Sequence, residues 1–245
     1  MRTWASARRA GAAGLALVSA LLLSAACAEA EPPTQDVVSV IPWPDREEAL
    51  YRLEDRDGNE KGRGTLLVDR EGDRFRLTLR FSDNSNSDES VVLADARTLK
   101  PVSVRREIQS AEQGDTIEAE YGGGQVRIRA ASDGDVRQSF LRIPEHAYDN
   151  ESSLFLWRTM PLAPGYTARY TTVVTNRRQE RTVVVRVSGP EEVEVPAGVF
   201  QAWRVELRSG GVRQLAWYAA DQRRLLVKYD NSRLLFLLEE VPGGG

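Results

Sequence analysis

A mainly β fold, with one large curved antiparallel sheet or incomplete β-barrel and one short buried helix near residues 150–160, follows from three features of the sequence. Apolar and polar residues alternate in run after run; Phe75, Leu77, Leu79 and Phe81 are separated by Arg76, Thr78 and Arg80, as in a strand with one buried face. Turn signals such as Asp57-Gly58-Asn59, Glu71-Gly72-Asp73, Gly122-Gly123-Gly124 and Asp133-Gly134-Asp135 punctuate these runs. Only around Tyr148 does the period change. A sheet of about a dozen strands curls rather than staying flat.

The first 26 residues are set aside as an export signal. Arg2, Arg8 and Arg9 form a basic start, and Ala10 to Leu23 is uncharged, too short to span a bilayer, which takes about 20 apolar residues. Leu23-Ser24-Ala25-Ala26-Cys27 resembles a bacterial lipobox, although Ser24 stands where leucine is preferred. Cys27 is the sole cysteine, so no internal disulfide can form and lipidation would occupy its sulfur. The alternative is cleavage after Ala28 or Ala30, both of which satisfy the small-x-small rule. Residues 27–46 then read as a lipidated cysteine and a proline-rich tether, 47–241 as a single β-rich domain, and 242–245 as a frayed tail.

The strand runs follow in order: Ala49–Glu54, Gly62–Asp69 and Phe75–Phe81, a polar loop Ser82–Ser90, then Val91–Ala94, Val102–Ile108, Thr116–Tyr121, Gln125–Ala130 and Val136–Ile143. Asp149 or Asn150 caps a helix through Leu154, Phe155, Trp157 and Arg158, and Pro161 ends it. That helix is apolar nearly all round, so it is buried, plugging one face of the sheet. Strands resume at Thr167–Thr175 and Arg181–Val187. In Val193–Tyr229 one parity holds Val199, Trp203, Val205, Leu207, Leu215, Trp217, Leu225, Val227 and Tyr229, and the other holds Arg204, Glu206, Arg208, Arg213 and Lys228. Leu234–Leu238 is unbroken apolar, so both of its faces must be covered.

The chain resembles a family of exported bacterial proteins of unknown function, many with lipoprotein signals. The resemblance rests on Tyr148-Asp149-Asn150 with Ser152 and Arg158, on Val195-Pro196-Ala197-Gly198 with Phe200, Ala202 and Val205, and on Trp217-Tyr218 with Asp221, Arg224 and Val227. It is similar in architecture to the periplasmic lipoprotein-sorting proteins, unclosed barrels that cradle lipid on a concave apolar face. The resemblance implies a fold and brings no catalytic residues.

Removing residues 1–26 takes away three arginines, leaving 30 cations against 36 acids, a charge of −6 that suits nucleic acid poorly. His146 is the only histidine; it reads as a polar residue beside the helix start and no metal site is expected. Asp55–Asn59 and Ser82–Ser90 lack the EF-hand spacing and read as a turn and a loop. Acidic clusters such as Glu191-Glu192 with Glu194, in which Glu192 and Glu194 share a strand face, are candidates for a hydrolase's paired carboxylates. No catalytic motif or cofactor site is expected, and the chain reads as a non-enzyme. Trp157, Trp203, Trp217 and Tyr229 read as core, or as the lining of a hydrophobic-ligand groove. The expected role is a membrane-anchored carrier or sensor of a lipid or other hydrophobic molecule. An envelope protein-interaction or assembly module with a filled core is the alternative, and a carboxylate-pair hydrolase the third reading.

Overall fold

A computed structural model describes residues 36–111 and 113–241; the export signal 1–26, Cys27 and the tail 242–245 lie outside the described residues. Eight strands come first: β1 (Arg46–Glu54), β2 (Glu60–Glu71), β3 (Arg74–Ser82), β4 (Ser87–Asp95), β5 (Pro101–Gln109), β6 (Gly114–Gly122), β7 (Gln125–Ser132) and β8 (Asp135–Arg142). A short β9 (Tyr148–Asp149) leads through a 3-10 turn, Asn150–Ser152, into the helix α1 (Ser153–Arg158). Then come β10 (Thr167–Val174), β11 (Gln179–Val195), β12 (Gly198–Ser209), β13 (Val212–Ala219), β14 (Leu226–Asp230) and β15 (Leu235–Glu240).

All fifteen strands form one sheet in the order β8-β7-β6-β5-β4-β3-β2-β1-β15-β14-β13-β12-β11-β10-β9. Two antiparallel meanders are thus joined where β1 pairs with β15, and only β9 runs parallel to its neighbour. The backbone ladder stays open, but β9 lies against β5, so the sheet curls until its last strand faces the middle of the first meander. β7 and β8 continue beyond that contact, and the exposed Phe140 and Val136 lie on β8.

Alternation builds the inner face. Val68, Leu77, Val92, Val104, Ala119 and Ile128 are paired across β2 to β7, and all are buried. Directly paired residues share a face, so this row is one apolar stripe, and Glu47 begins it opposite Val68. A parallel row runs Ala49, Leu66, Leu79, Ser90, Arg106. Here the interior turns polar. β4 starts at Ser87, so the expected loop Ser82–Ser90 shrinks to its first residues: Asp83 accepts from the backbone N–H of Ser85 and Asn86 at 2.7 and 2.8 Å and closes the turn.

Two further expectations change. The tether assigned to 27–46 is, in its described part, packed on the domain: Val37 and Trp43 are buried, the Trp43 ring meets Phe75 and Phe155 edge-on, and Ser39 N–H donates to Thr159 O at 2.9 Å. Apolar side chains in a short proline-punctuated segment reach a hydrophobic surface more favourably than water. The inward set of the stretch Val193–Tyr229 is also corrected. A two-residue turn pairs Ser209 with Val212, so Val205 opposes Ala216 and Trp203 opposes Tyr218, while Trp217 opposes Arg204 and Lys228. Odd residues of β12 therefore share a face with even residues of β13, and Leu215 and Trp217 move to the outer face. Val199 is exposed.

Trp217 is nonetheless buried, because something covers it from outside. β11 changes register between Val187 and Pro190, and a bulge bends a strand. The remainder of the β11–β12 hairpin folds over β13 to β15: Trp217 Nε1 donates to Glu191 at 2.5 Å, and Ala197 N–H donates to Leu238 O at 3.1 Å. This flap covers the outer face of the apolar run Leu234–Leu238. Its inner face is covered by Tyr229 and Phe81, whose rings contact Phe236.

Candidate functional site

Since the two ends of the sheet do not share a ladder, side chains close the seam, and the short helix lies across it. Asp149 starts the construction. With extended backbone at φ −102° and ψ 145° it caps the 3-10 turn, its carboxylate accepting the Glu151 N–H at 2.7 Å, while the Tyr121 hydroxyl of β6 donates to its other oxygen in a short hydrogen bond. One carboxylate thereby satisfies an orphan helix-start N–H and ties β9 to β6.

Glu151, also buried, accepts from the Ser90 hydroxyl at 3.1 Å and from Arg106 at 3.2 Å. Arg106 in turn grips Asp88 through Nε at 2.8 Å and Nη2 at 2.5 Å. The polar inward residues of β4 and β5 are therefore the receptor for the helix start. Lys100 adds a further link at the seam, donating to His146 O at 2.7 Å and lying 3.7 Å above the Tyr148 ring. Burial pulls its ammonium down to about 8, with Asp36 opposing.

The far end of α1 is held by charge. Arg158, with its side chain only 6% exposed, forms a two-toothed pair with Glu47 at 2.5 and 3.1 Å and donates to Arg223 O at 2.9 Å. Glu47 thus sits in an otherwise apolar row because Arg158 comes to meet it; a buried charge needs such a partner. Between the two ends, Tyr218 hydroxyl donates to Leu154 O at 2.8 Å and Trp157 Nε1 to Tyr170 hydroxyl at 2.6 Å. Every face of the helix is occupied, and all six of its residues are buried.

The titration of this cluster is displaced. Burial, and then the negative charge of Glu151, push Asp149 up from 3.8 to about 7, against the pull of Tyr121, the Glu151 N–H and Arg106. Two carboxylates in one dry site favour protonation of one of them. Tyr51, whose hydroxyl donates to Leu226 O at 2.9 Å, is raised by burial as well.

The spaces around the helix are small. One cleft of about 170 Å³ is lined by Glu151, Arg106, Trp157, Tyr229, Gln214 and Asn231; another of about 250 Å³ lies beside Trp157, Asn176, Arg181 and Leu207. Of the four residues predicted to line a ligand groove, Trp157 and Tyr229 meet there, ring to ring at 6.1 Å. Trp217 lies on the opposite face of the sheet under the flap. Trp203 keeps the inward parity, half-buried opposite Tyr218. A more apolar recess of about 330 Å³ opens at one end of the sheet, lined by Leu53, Phe81, Ile108 and Leu234 with a polar rim, and none of the predicted aromatics reaches it.

The other candidates resolve into local structure. Asp55 accepts from the N–H of Asp57 and Asn59 and pairs with Lys61 at 2.9 Å. Glu192 and Glu194 are exposed on the flap. No group of three or more His, Cys, Asp or Glu is placed to hold a metal among the described residues, and no helix there is long and apolar enough to cross a membrane. The sequence named Asp149 or Asn150 as the helix cap and the structure gives that place to Asp149, but the roles of Glu151, Arg106 and Glu47 went unassigned.

An open curved antiparallel sheet sealed by a buried helix defines a class of barrel-like proteins. Within it, the chain belongs to the DUF3108 family of proteins of unknown function, whose profile matches residues 50–234. Among solved structures it is similar to a β-barrel-like protein of the domain of unknown function DUF1849 from Brucella abortus, at a TM-score of 0.54 and 11% identity, over 86% of this chain and 100% of that one. Weaker likenesses are to a protein described as "a putative lipoprotein" from Parabacteroides distasonis, at a TM-score of 0.32 and 12% identity over 84% and 99% of the two chains, and to "a putative exported protein with YmcC-like fold" from Bacteroides fragilis, at 0.30 and 12% over 83% and 98%. No curated protein matches the chain.

Proposed function

We propose that this is an exported, membrane-anchored, non-catalytic module of the bacterial cell envelope that works through its outer surfaces. The observation that carries this reading is the position of α1: the helix and its hydrogen bonds occupy the middle of the concave face that a lipid carrier of this architecture would leave open. Sites for drug-sized ligands run to about 300–1,000 Å³ and are mostly apolar, whereas the clefts beside the helix are smaller and mix polar with apolar lining. The buried carboxylates spend their oxygens on a helix cap, Tyr121, Ser90 and Arg106, which supports a structural role over a hydrolytic one. Localisation rests on the basic and apolar N-terminus and on Cys27.

Hydrophobic-ligand binding is the second reading, favoured by the recess of Leu53, Phe81, Ile108 and Leu234. A fluorescent fatty-acyl probe titrated into the protein decides between the two. Only weak, non-saturating fluorescence is expected; saturable one-to-one binding that is abolished by Phe81→Ser would replace the first reading with the second. Cys27→Ala is expected to release the protein into the soluble fraction from membranes washed at about 0.5 M salt, where surface charge is screened, and equal partitioning of variant and wild type under that wash would remove the anchor.

A further inference from the structure

The turn at residues 175–178, between β10 and β11, and the turn at 210–211, between β12 and β13, lie at the same end of the second meander. Two clefts meet there, one of about 420 Å³ and the other of about 250 Å³, sharing Ser209 and Val212. Together they are lined by Arg169, Arg177, Arg181, Arg208 and Arg213, and by no carboxylate. Cross-strand pairing aligns three of these: Arg169 opposes Val184, which opposes Arg208, which opposes Arg213.

Two of these arginines share a carboxylate. Glu206 accepts from Arg208 at 2.6 Å and from Arg213 at 2.9 Å, and Glu180 is exposed beside the turn. The arginines of these clefts contrast with a mature chain of net charge −6. In the first meander Arg80 pairs with Glu89, Arg127 with Glu120 and Arg129 with Glu118.

The shape of the tip adds to the charge. Gly210 and Gly211 both take positive φ, 54° and 83°, the geometry of a tight two-residue hairpin turn. The turn presents Val212, 46% exposed, among the arginines. Planar guanidinium forks match phosphate oxygens in pairs, and an apolar tip among cations suits the boundary between headgroups and acyl chains.

We propose that this tip docks on the anionic phospholipid surface of the membrane that carries the protein. The inference rests on the envelope reading above, and on the length of chain outside the structure: the nine residues 27–35 span at most roughly 30 Å when extended. An anchor at Cys27 would keep the domain within reach of the bilayer, whose anionic phosphates the arginine tip complements in charge.

The test uses the full exported chain with Cys27→Ala, so that the anchor contributes nothing. Its binding to vesicles of phosphatidylcholine with about 30% phosphatidylglycerol, and to phosphatidylcholine alone, is measured by flotation at low salt and at about 0.5 M salt, where screening is nearly complete. Binding to the anionic vesicles alone, lost at high salt, is expected. A variant with Arg177→Gln, Arg208→Gln and Arg213→Gln should bind on the order of 100-fold more weakly, at the usual contribution of a cation near such a surface. A control with Arg80→Gln, Arg127→Gln and Arg129→Gln has the same net charge and should bind like the parent. Arg177→Gln alone, at an exposed turn, should weaken binding about fivefold and covers the case where the triple variant misfolds. Equal loss in the tip and control variants, absence of binding by the parent, or equal binding to polyglutamate would overturn the proposal. None of these outcomes depends on whether the interior is filled or on where Cys27→Ala partitions, so the two readings fail separately.

Discussion

At the scale of single residues, the fold depends on a few charges brought indoors, and their energetics give direct tests. Asp149 carries a folded-state pKa raised from 3.8 to about 7, so folding favours its protonated form. Its contribution to stability is complete below about pH 3.8 and is lost as the pH rises through about 7. Asp149→Asn keeps a capping side chain and removes the titration. Urea unfolding of this variant should lose the part of the decline between pH 4 and 7 that the parent shows, and an unchanged pH profile would contradict the assignment. Arg158 behaves differently. Arg158→Met leaves buried Glu47 with only its longer contact to Arg223 at 3.3 Å, a loss of up to about 3–5 kcal/mol, whereas Glu47→Met with Arg158→Met should recover much of it; equal losses in the two variants would mean that the pair is not what anchors the helix. None of these roles was written in the alternation of the sequence. Glu47, Ser90 and Arg106 occupy inward positions that an apolar stripe predicts to be hydrophobic, and their partners lie 111, 61 and 45 residues away, so only the closed fold reveals why polar groups stand there.

The strands themselves were legible because alternation and turn glycines are local. The helix was also readable, from its change of period and its aspartate cap. What escaped was register across turns. The parity of β12 appeared to continue into β13, yet the two-residue turn at Gly210-Gly211 pairs odd with even residues and sends Trp217 to the outer face. The β11 bulge and the flap it directs were hidden for the same reason, since a fold-back depends on what lies beneath it. As an element, α1 is held by packing more than by its own propensity, because six residues are too few for an independent helix. Leu156, fully buried, should cost about 2–5 kcal/mol on truncation to Ala, read from the denaturation midpoint. Tyr170→Phe should cost about 1–3 kcal/mol by leaving Trp157 Nε1 without its acceptor. If both changes were neutral, the helix would be an ornament on a self-sufficient sheet.

For the molecule as a whole, the sheet alone leaves the interior question open, since the same curved sheet can be empty or full. The sequence predicted a curved sheet with a plugging helix, and it placed that helix correctly without deciding whether room for a ligand remained. Here side chains seal the seam, the helix occupies the middle of the concavity, and the predicted aromatic lining divides between core contacts inside and a flap contact outside. The most direct measurement is native mass spectrometry of the protein extracted from its own envelope, followed by solvent extraction and lipid analysis. A mass equal to the chain with its covalent anchor, and no stoichiometric lipid in the extract, is the result predicted by a filled interior. A second lipid bound one to one, released only on unfolding, would contradict it.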